Sequence, residues 1–166
     1  MFNLQSDMFH VIYLSFLIEK QSLLGEDFMD RISKSKRSWN MSQIKSSDTK
    51  LELLVRRYLF SKGLRYRLHS TLKGKPDLVF PKEKIAVFVN GCFWHMHNCK
   101  LSSFPSSRKE YWELKLERNR ARDNEVLQFL NEQGWRTIQL WECKIKEGIE
   151  KATLDLINMI SKTKVP

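Results

Sequence analysis

The sequence predicts an α/β fold, a mixed central β-sheet flanked by helices. Apolar residues recur at helical spacing over residues 48–60, 106–133 and 149–160. Residues 64–69 alternate as a strand does, and short runs with β-branched and aromatic residues fall at 77–80, 84–89 and 135–141. The order is thus helix, three strands, helix, strand, helix, which calls for a sheet with helices packed on it.

Composition bounds the rest. A chain of 166 residues with 42% hydrophobic and 29% charged residues suits one globular domain with its own core. The net charge of +10 favours a polyanionic partner, nucleic acid or an acidic membrane surface. Three cysteines, an odd number, fit a reduced intracellular protein with a metal site better than a disulfide framework. Residues 1–28 hold Lys20 against Asp7, Glu19, Glu26 and Asp27, so the whole basic excess lies downstream. The apolar run within them, residues 11–18, is too short for a bilayer, which needs about 20 apolar residues. It reads as an accessory helix, a membrane-surface segment or a leader from an upstream start, because Met29 opens a composition like the remainder of the chain.

The elements follow in order. Residues 29–47, rich in Ser, Lys and Arg, read as a basic arm, or as a solvated linker. Residues 48–166 then form the main domain. Its first helix places Leu51, Leu54, Val55, Tyr58 and Leu59 on one stripe, with Thr49 and Glu52 as a capping box and Gly63 as the stop. Residues 64–69 alternate as a strand does, and 71–76 form a loop. Strands 77–80 and 84–89 are joined by the Pro81-Lys82-Glu83 turn, and the second is apolar enough to be central. The long helix 106–133 has Ser106 or Ser107 as cap, Tyr111, Trp112, Leu116, Val126, Leu127, Phe129 and Leu130 as apolar positions, and Gly134 as stop.

The most specific segment is Cys92-Phe93-Trp94-His95-Met96-His97-Asn98-Cys99. Thiolate and imidazole are the preferred ligands of zinc, and a closed structural site takes four. The expected set is Cys92, His97, Cys99 and Cys143, the last arriving from beyond a later strand; His95 is the alternative imidazole. The competing reading makes the cysteines small buried hydrophobes. Asp77 at one strand start and His95 beyond the neighbouring strand form a second constellation. Asp77 suits Mg²⁺, which prefers carboxylate and water oxygens, and His95 suits a general base near neutral pH. Together they are equipment for phosphodiester hydrolysis. Phe93 and Trp94 beside a basic metal site suggest a surface that meets bases.

Gly74-Lys75-Pro76-Asp77-Leu78-Val79-Phe80, the segment Phe88-Val89-Asn90-Gly91 leading into Cys92–Cys99, Gly134-Trp135-Arg136 and Trp141-Glu142-Cys143 resemble the bacterial very short patch repair DNA mismatch endonucleases. The likeness begins near Met29 and runs to about Cys143. It implies a fold related to type II restriction endonucleases, the PD-(D/E)xK group, with an added structural zinc. It also implies nicking 5′ of the T in T:G pairs left by deamination of 5-methylcytosine. Carried over by motif, Asp77 is the magnesium carboxylate, His95 the base, and Cys92, His97, Cys99 and Cys143 the zinc ligands. Glu52 matches an acid near the metal-water cluster, and Asp123 another active-site acid. Two positions depart from the pattern. Val89 stands where Thr is frequent, and its main-chain carbonyl serves magnesium equally well. Asn90 replaces a His and cannot titrate, which leaves Asp123 without its usual partner.

The resemblance further implies that Phe93 and Trp94, with Trp112 as a third ring, wedge into the stack beside the mismatch, and that Met41 enters from the opposite groove. A weakly stacked T:G step opens more cheaply than a matched one. Lys34, Lys36, Arg37, Lys115, Arg118, Arg120 and Arg122 are expected phosphate contacts, which position rather than specify. The expected partner is double-stranded DNA with a T:G mismatch. Mismatch-repair proteins, a repair polymerase and a matching cytosine-5 DNA methyltransferase act around it, in a bacterial cytoplasm, away from membranes and with the enzyme as a monomer. Two rivals stand beside this reading: a zinc-stabilised DNA-binding module without catalysis, and a restriction-type endonuclease acting on matched DNA.

Overall fold

A computed structural model describes residues 33–43, 45, 47–105 and 108–163. The expected 1–28 extension lies outside the described residues, as do the Ser106 and Ser107 caps and the side chains of Lys34 and Arg37. Part of the basic arm is helical: α1 spans Lys34–Ser42, with Ser33 Oγ accepting from the Lys36 N–H. The residues from Ser38 onward form one compact unit.

Helix α2 (Lys50–Ser61) begins as its capping box directs. Thr49 Oγ1 accepts the Glu52 N–H at 3.2 Å, and the Glu52 carboxylate reaches back to the Asp48 N–H at 2.9 Å. Strands β1 (Leu78–Phe80) and β2 (Ile85–Asn90) follow, joined through the Pro81–Lys84 turn. Helix α3 (Lys109–Glu132) crosses to β3 (Arg136–Trp141). Two helices close the chain, α4 (Glu142–Glu147) and α5 (Ile149–Lys162). At the end of α3, Gly134 takes φ +78°, and the Gly134 and Trp135 N–H groups bond back to Asn131 and Leu130, a left-handed stop that only glycine enters freely. Gly63 ends α2 in the same way.

The sheet order is β1-β2-β3. β1 and β2 are antiparallel, Leu78 opposite Val87; β2 and β3 are parallel, Ile85 opposite Arg136 through Asn90 opposite Trp141. The sheet is therefore mixed, with β2 central, as the sequence leads one to expect. Alternation along β2 divides its side chains. Ile85 and Val87 enter a core with Val55, Leu59, Phe80, Leu140, Leu156 and Ile160, under α2 and α5. Ala86 faces the other way with Val126 and Leu130 of α3, beside Phe88 and Trp135.

One expectation needs correcting. Residues 64–69 are not a strand: they make one bridge, Arg67 to Val79, because the three-residue β1 offers little edge to pair with. Cys143 follows the end of β3 as expected, in the first turn of α4, a helix with too few residues to show a period in the sequence. Smaller shifts leave Asp77 just ahead of β1, tied to β2 by its N–H on Val87 O at 2.9 Å, and start α3 at Lys109.

Candidate active site and metal centre

Parallel pairing brings Asn90 and Trp141 level at the ends of β2 and β3, so the residues just beyond them emerge side by side. This register joins Cys92 to Cys143, although 51 positions separate them in sequence. The Cys143 N–H points at Cys92 Sγ (3.3 Å), and the Glu142 carboxylate accepts the Cys92 N–H (3.2 Å). The loop then folds tightly, with His97 N–H on Cys92 O and Met96 at φ +51°. As a result one donor atom from each of Cys92, His97, Cys99 and Cys143 lies within 4.8 Å of the others. His97 Nδ1 stands 3.6 Å from Cys92 Sγ and 3.4 Å from Cys143 Sγ. Burial pushes the Cys92 thiol up to about 12, so its thiolate form needs a cation beside it. This Cys3His cluster can hold a metal ion. His97, not His95, is the imidazole in it, and the Trp141 ring stacks on His97 with centroids 4.3 Å apart.

A cleft of about 1060 Å³ opens beside this centre. Glu52, Asp77, Val89, Asn90, His95 and Asp123 all line it. Asp77 Oδ2 accepts the Val89 N–H at 2.7 Å. Burial lifts the Asp77 carboxyl from its ordinary 3.8 to about 6; the Val89 hydrogen bond opposes that rise, and the nearby Glu52 charge adds to it. His95 Nδ1 is hydrogen-bonded to Asp123 Oδ2, so Asp123 has a partner even with Asn90 in place of a His. Asn90 is buried at the end of β2.

The aromatics converge as well. Phe93 meets Trp94 at 4.9 Å and Trp112 at 5.3 Å between ring centroids, edge to face. Lys115 Nζ lies over Trp94, Tyr111 and Trp112, at 5.3 to 5.7 Å from each centroid. Arg118 and Arg122 are exposed one helical turn apart on the same flank of α3. Arg120 is turned about 160° from Arg118, on the other flank. Met41 and Lys36 are exposed on α1. Sequence reasoning missed four neighbours of these groups. Tyr111 joins the ring cluster, Trp141 supports His97, Asn119 Nδ2 holds the Trp94 carbonyl at 3.2 Å, and Arg56 pairs with Glu52. Only Arg56 left a readable mark, an i,i+4 spacing from Glu52.

Residues 29–101 match the family model for the DNA mismatch endonuclease Vsr. The type II nicking enzyme V.XorIIP of Xanthomonas oryzae pv. oryzae is 44% identical over 119 residues, 71% of this chain and 88% of that protein. This chain belongs to the Vsr endonuclease family. The DNA mismatch endonuclease Vsr of Escherichia coli is 39% identical over 121 residues, 72% of this chain and 77% of its own length. The type II nicking enzyme V.NmeAIP of Neisseria meningitidis is 42% identical over 118 residues, with 70% and 84% covered. As a Vsr-family member the chain is a DNA endonuclease, a hydrolase of phosphodiester bonds. Among the described residues no helix is long and apolar enough to cross a membrane.

Proposed function

We propose that this chain nicks one strand 5′ of the T in a T:G mismatch, in a magnesium-dependent reaction that opens very short patch repair. The observation that carries this is a single cleft that gathers Glu52, Asp77, His95 and Asp123 beside the Phe93, Trp94 and Trp112 rings. The similarity to a mismatch endonuclease and to nicking enzymes supports the mismatch and the single-strand parts of the reading.

In this reading His95 is the general base. Its Nδ1 faces Asp123, which fixes the proton there and leaves Nε2 free to take one from water. The donors for magnesium are hard oxygens, the Asp77 carboxylate and the Val89 main-chain carbonyl. Burial raises the Asp77 carboxyl to about 6, and a cation bound beside it would favour the ionised form. Magnesium, when bound, supplies neutralisation of charge at the phosphate and the leaving oxygen. Glu52 orients water from the cleft wall. Zinc suits the Cys3His centre: Zn–S of about 2.3 Å and Zn–N of about 2.0 Å in a tetrahedron separate S and N by about 3.5 Å, close to the 3.4 and 3.6 Å found.

Phe93, Trp94 and Trp112 act as the wedge and Met41 enters from the opposite groove. Lys36, Lys115, Arg118, Arg120 and Arg122 neutralise phosphates, with Lys34 and Arg37 of the 29–47 arm. The 48–166 domain carries the chemistry on a restriction-endonuclease-like frame. The enzyme works as a monomer in the bacterial cytoplasm, beside a cytosine-5 DNA methyltransferase of matching context, mismatch-repair proteins and a repair polymerase. The test is a strand-labelled nicking assay on T:G and C:G duplexes, with magnesium supplied or withheld. A magnesium-dependent nick in the T strand of the T:G duplex is expected. Equal cutting of the C:G duplex, or scission of both strands, would overturn the reading.

A further inference from the structure

Arg56 sits on α2 in an unusual setting. It is 9% exposed, its Nη2 bonds Glu52 Oε2 at 2.9 Å, its Nη1 pairs with Asp48 Oδ1, and its Nε has no partner among the described residues. A buried guanidinium with an unsatisfied nitrogen is a poor device for stability. Desolvating it costs several kcal/mol, and replacing such buried ion pairs with apolar side chains is frequently neutral or stabilising. Asp48 is held equally awkwardly, at φ +54° in the left-handed region, and this turns its N–H onto Glu52 Oε2 at 2.9 Å. Thr49 Oγ1 donates to the other oxygen, Oε1, at 2.9 Å. Glu52 thus receives three donors from three residues, and Glu52 and Asp48 line the same cleft as Asp77 and His95.

We propose that Arg56, braced by Asp48, is a positioning residue that fixes the Glu52 carboxylate toward the cleft. This rests on the reading of Glu52 as a working acid of the nicking site. The planar guanidinium is what spans both carboxylates, since one nitrogen serves each. Lysine would keep the charge and lose the span.

The test is a double-mutant cycle on the full chain, using Arg56→Lys, Glu52→Gln and the pair. Three quantities are read for each: the single-turnover nicking rate on a T:G duplex, the Kd for that duplex with Ca²⁺ in place of Mg²⁺, and the urea unfolding midpoint. Arg56→Lys is expected to slow nicking at least tenfold, with Kd changed less than threefold. The double variant is expected to be no slower than Glu52→Gln alone, because Arg56 acts through Glu52. Should Arg56→Lys fail to fold, Asp48→Gly loosens the same brace from an exposed position and suits φ +54°. It is expected to slow nicking about threefold, again with no further loss on Glu52→Gln. Wild-type nicking by Arg56→Lys, or by Asp48→Gly where that variant is used, overturns the proposal, as do independent, multiplying losses. Wild-type nicking by Glu52→Gln would instead remove the reading beneath it.

Discussion

Asp77→Asn should make the protein more stable while abolishing nicking. The unfolded chain holds this carboxyl near 3.8, and the fold lifts it to about 6, chiefly through burial. A group with a raised folded value binds its proton more tightly in the folded state. Its ionised form therefore weakens the fold, and the penalty grows as pH climbs from 3.8 through 6. The folded carboxyl titrates about two pH units higher, each worth about 1.4 kcal/mol, so the penalty is about 3 kcal/mol at pH 7.5. By pH 5 the folded carboxyl is mostly protonated, and about half of that penalty remains. Asparagine removes the charge and keeps an oxygen for the Val89 N–H. Urea unfolding of wild type and Asp77→Asn in magnesium-free buffer, at pH 5, 6 and 7.5, measures the difference directly, and subtraction cancels the titrating groups that do not interact with Asp77. The variant should be more stable by about 2–3 kcal/mol at pH 7.5, with the gap shrinking toward pH 5. An equal or lower stability at pH 7.5, or a gap independent of pH, would refute the burial argument.

Other outcomes follow from the same geometry. His95→Ala should slow T:G nicking by about 10²- to 10⁴-fold, the usual yield of a general base, with duplex affinity retained in a binding titration; an unchanged rate would remove His95 from the chemistry. Cys143→Ala opens the metal centre, so metal analysis should find zinc substantially depleted from the variant, and the thermal midpoint should fall. Full zinc occupancy would show that the other three ligands suffice. Gly74→Ala should be destabilised by about 2 kcal/mol or more. Its φ is +80°, and an added Cβ would lie 2.2 Å from Val126 Cγ1 on α3. Unchanged urea unfolding would mean that this loop can move away from α3.

What is legible in the sequence, and what is not, follows the range of the interactions. The capping box of α2 and the glycine stops are local, and Thr49, Glu52, Gly63 and Gly134 announce them within a few residues. The apolar run of β2 marks the central strand. Residues 64–69 also alternate, yet a strand needs an edge to pair with, and no local pattern reports whether one exists. The Cys92–Cys99 spacing suggests a metal, and the membership of Cys143 rests, in sequence, on its place after a strand and on the family resemblance. Its true cause is the parallel register of β2 on β3, which is a tertiary fact. The i,i+4 relation of Glu52 and Arg56 is visible in the sequence; that both are buried is not, and burial is what turns an ordinary helix pair into a brace.

The cleft and the core follow opposite rules, and the contrast locates the working surface. Where β2 meets the helices, Ile85, Ala86, Val87, Leu130 and Leu156 are fully buried and apolar, each lowering the free energy of the fold. Around the cleft, Asp77 is an acid lifted by burial, Asp48 has a left-handed backbone, and Arg56 keeps a nitrogen without a partner among the described residues. Each of these costs stability, and they occur at neighbouring positions lining or bordering one cavity. Strain and unpaired charge persist only where the surrounding packing over-determines them. The tight metal loop on one side and the two apolar cores on the other provide that rigidity. An enzyme of the proposed kind, holding His95 and Asp77 on one phosphate while DNA is pried apart beside them, would need such a frame. Stabilising the cleft itself, as Asp77→Asn would, removes the charge that the proposed chemistry requires.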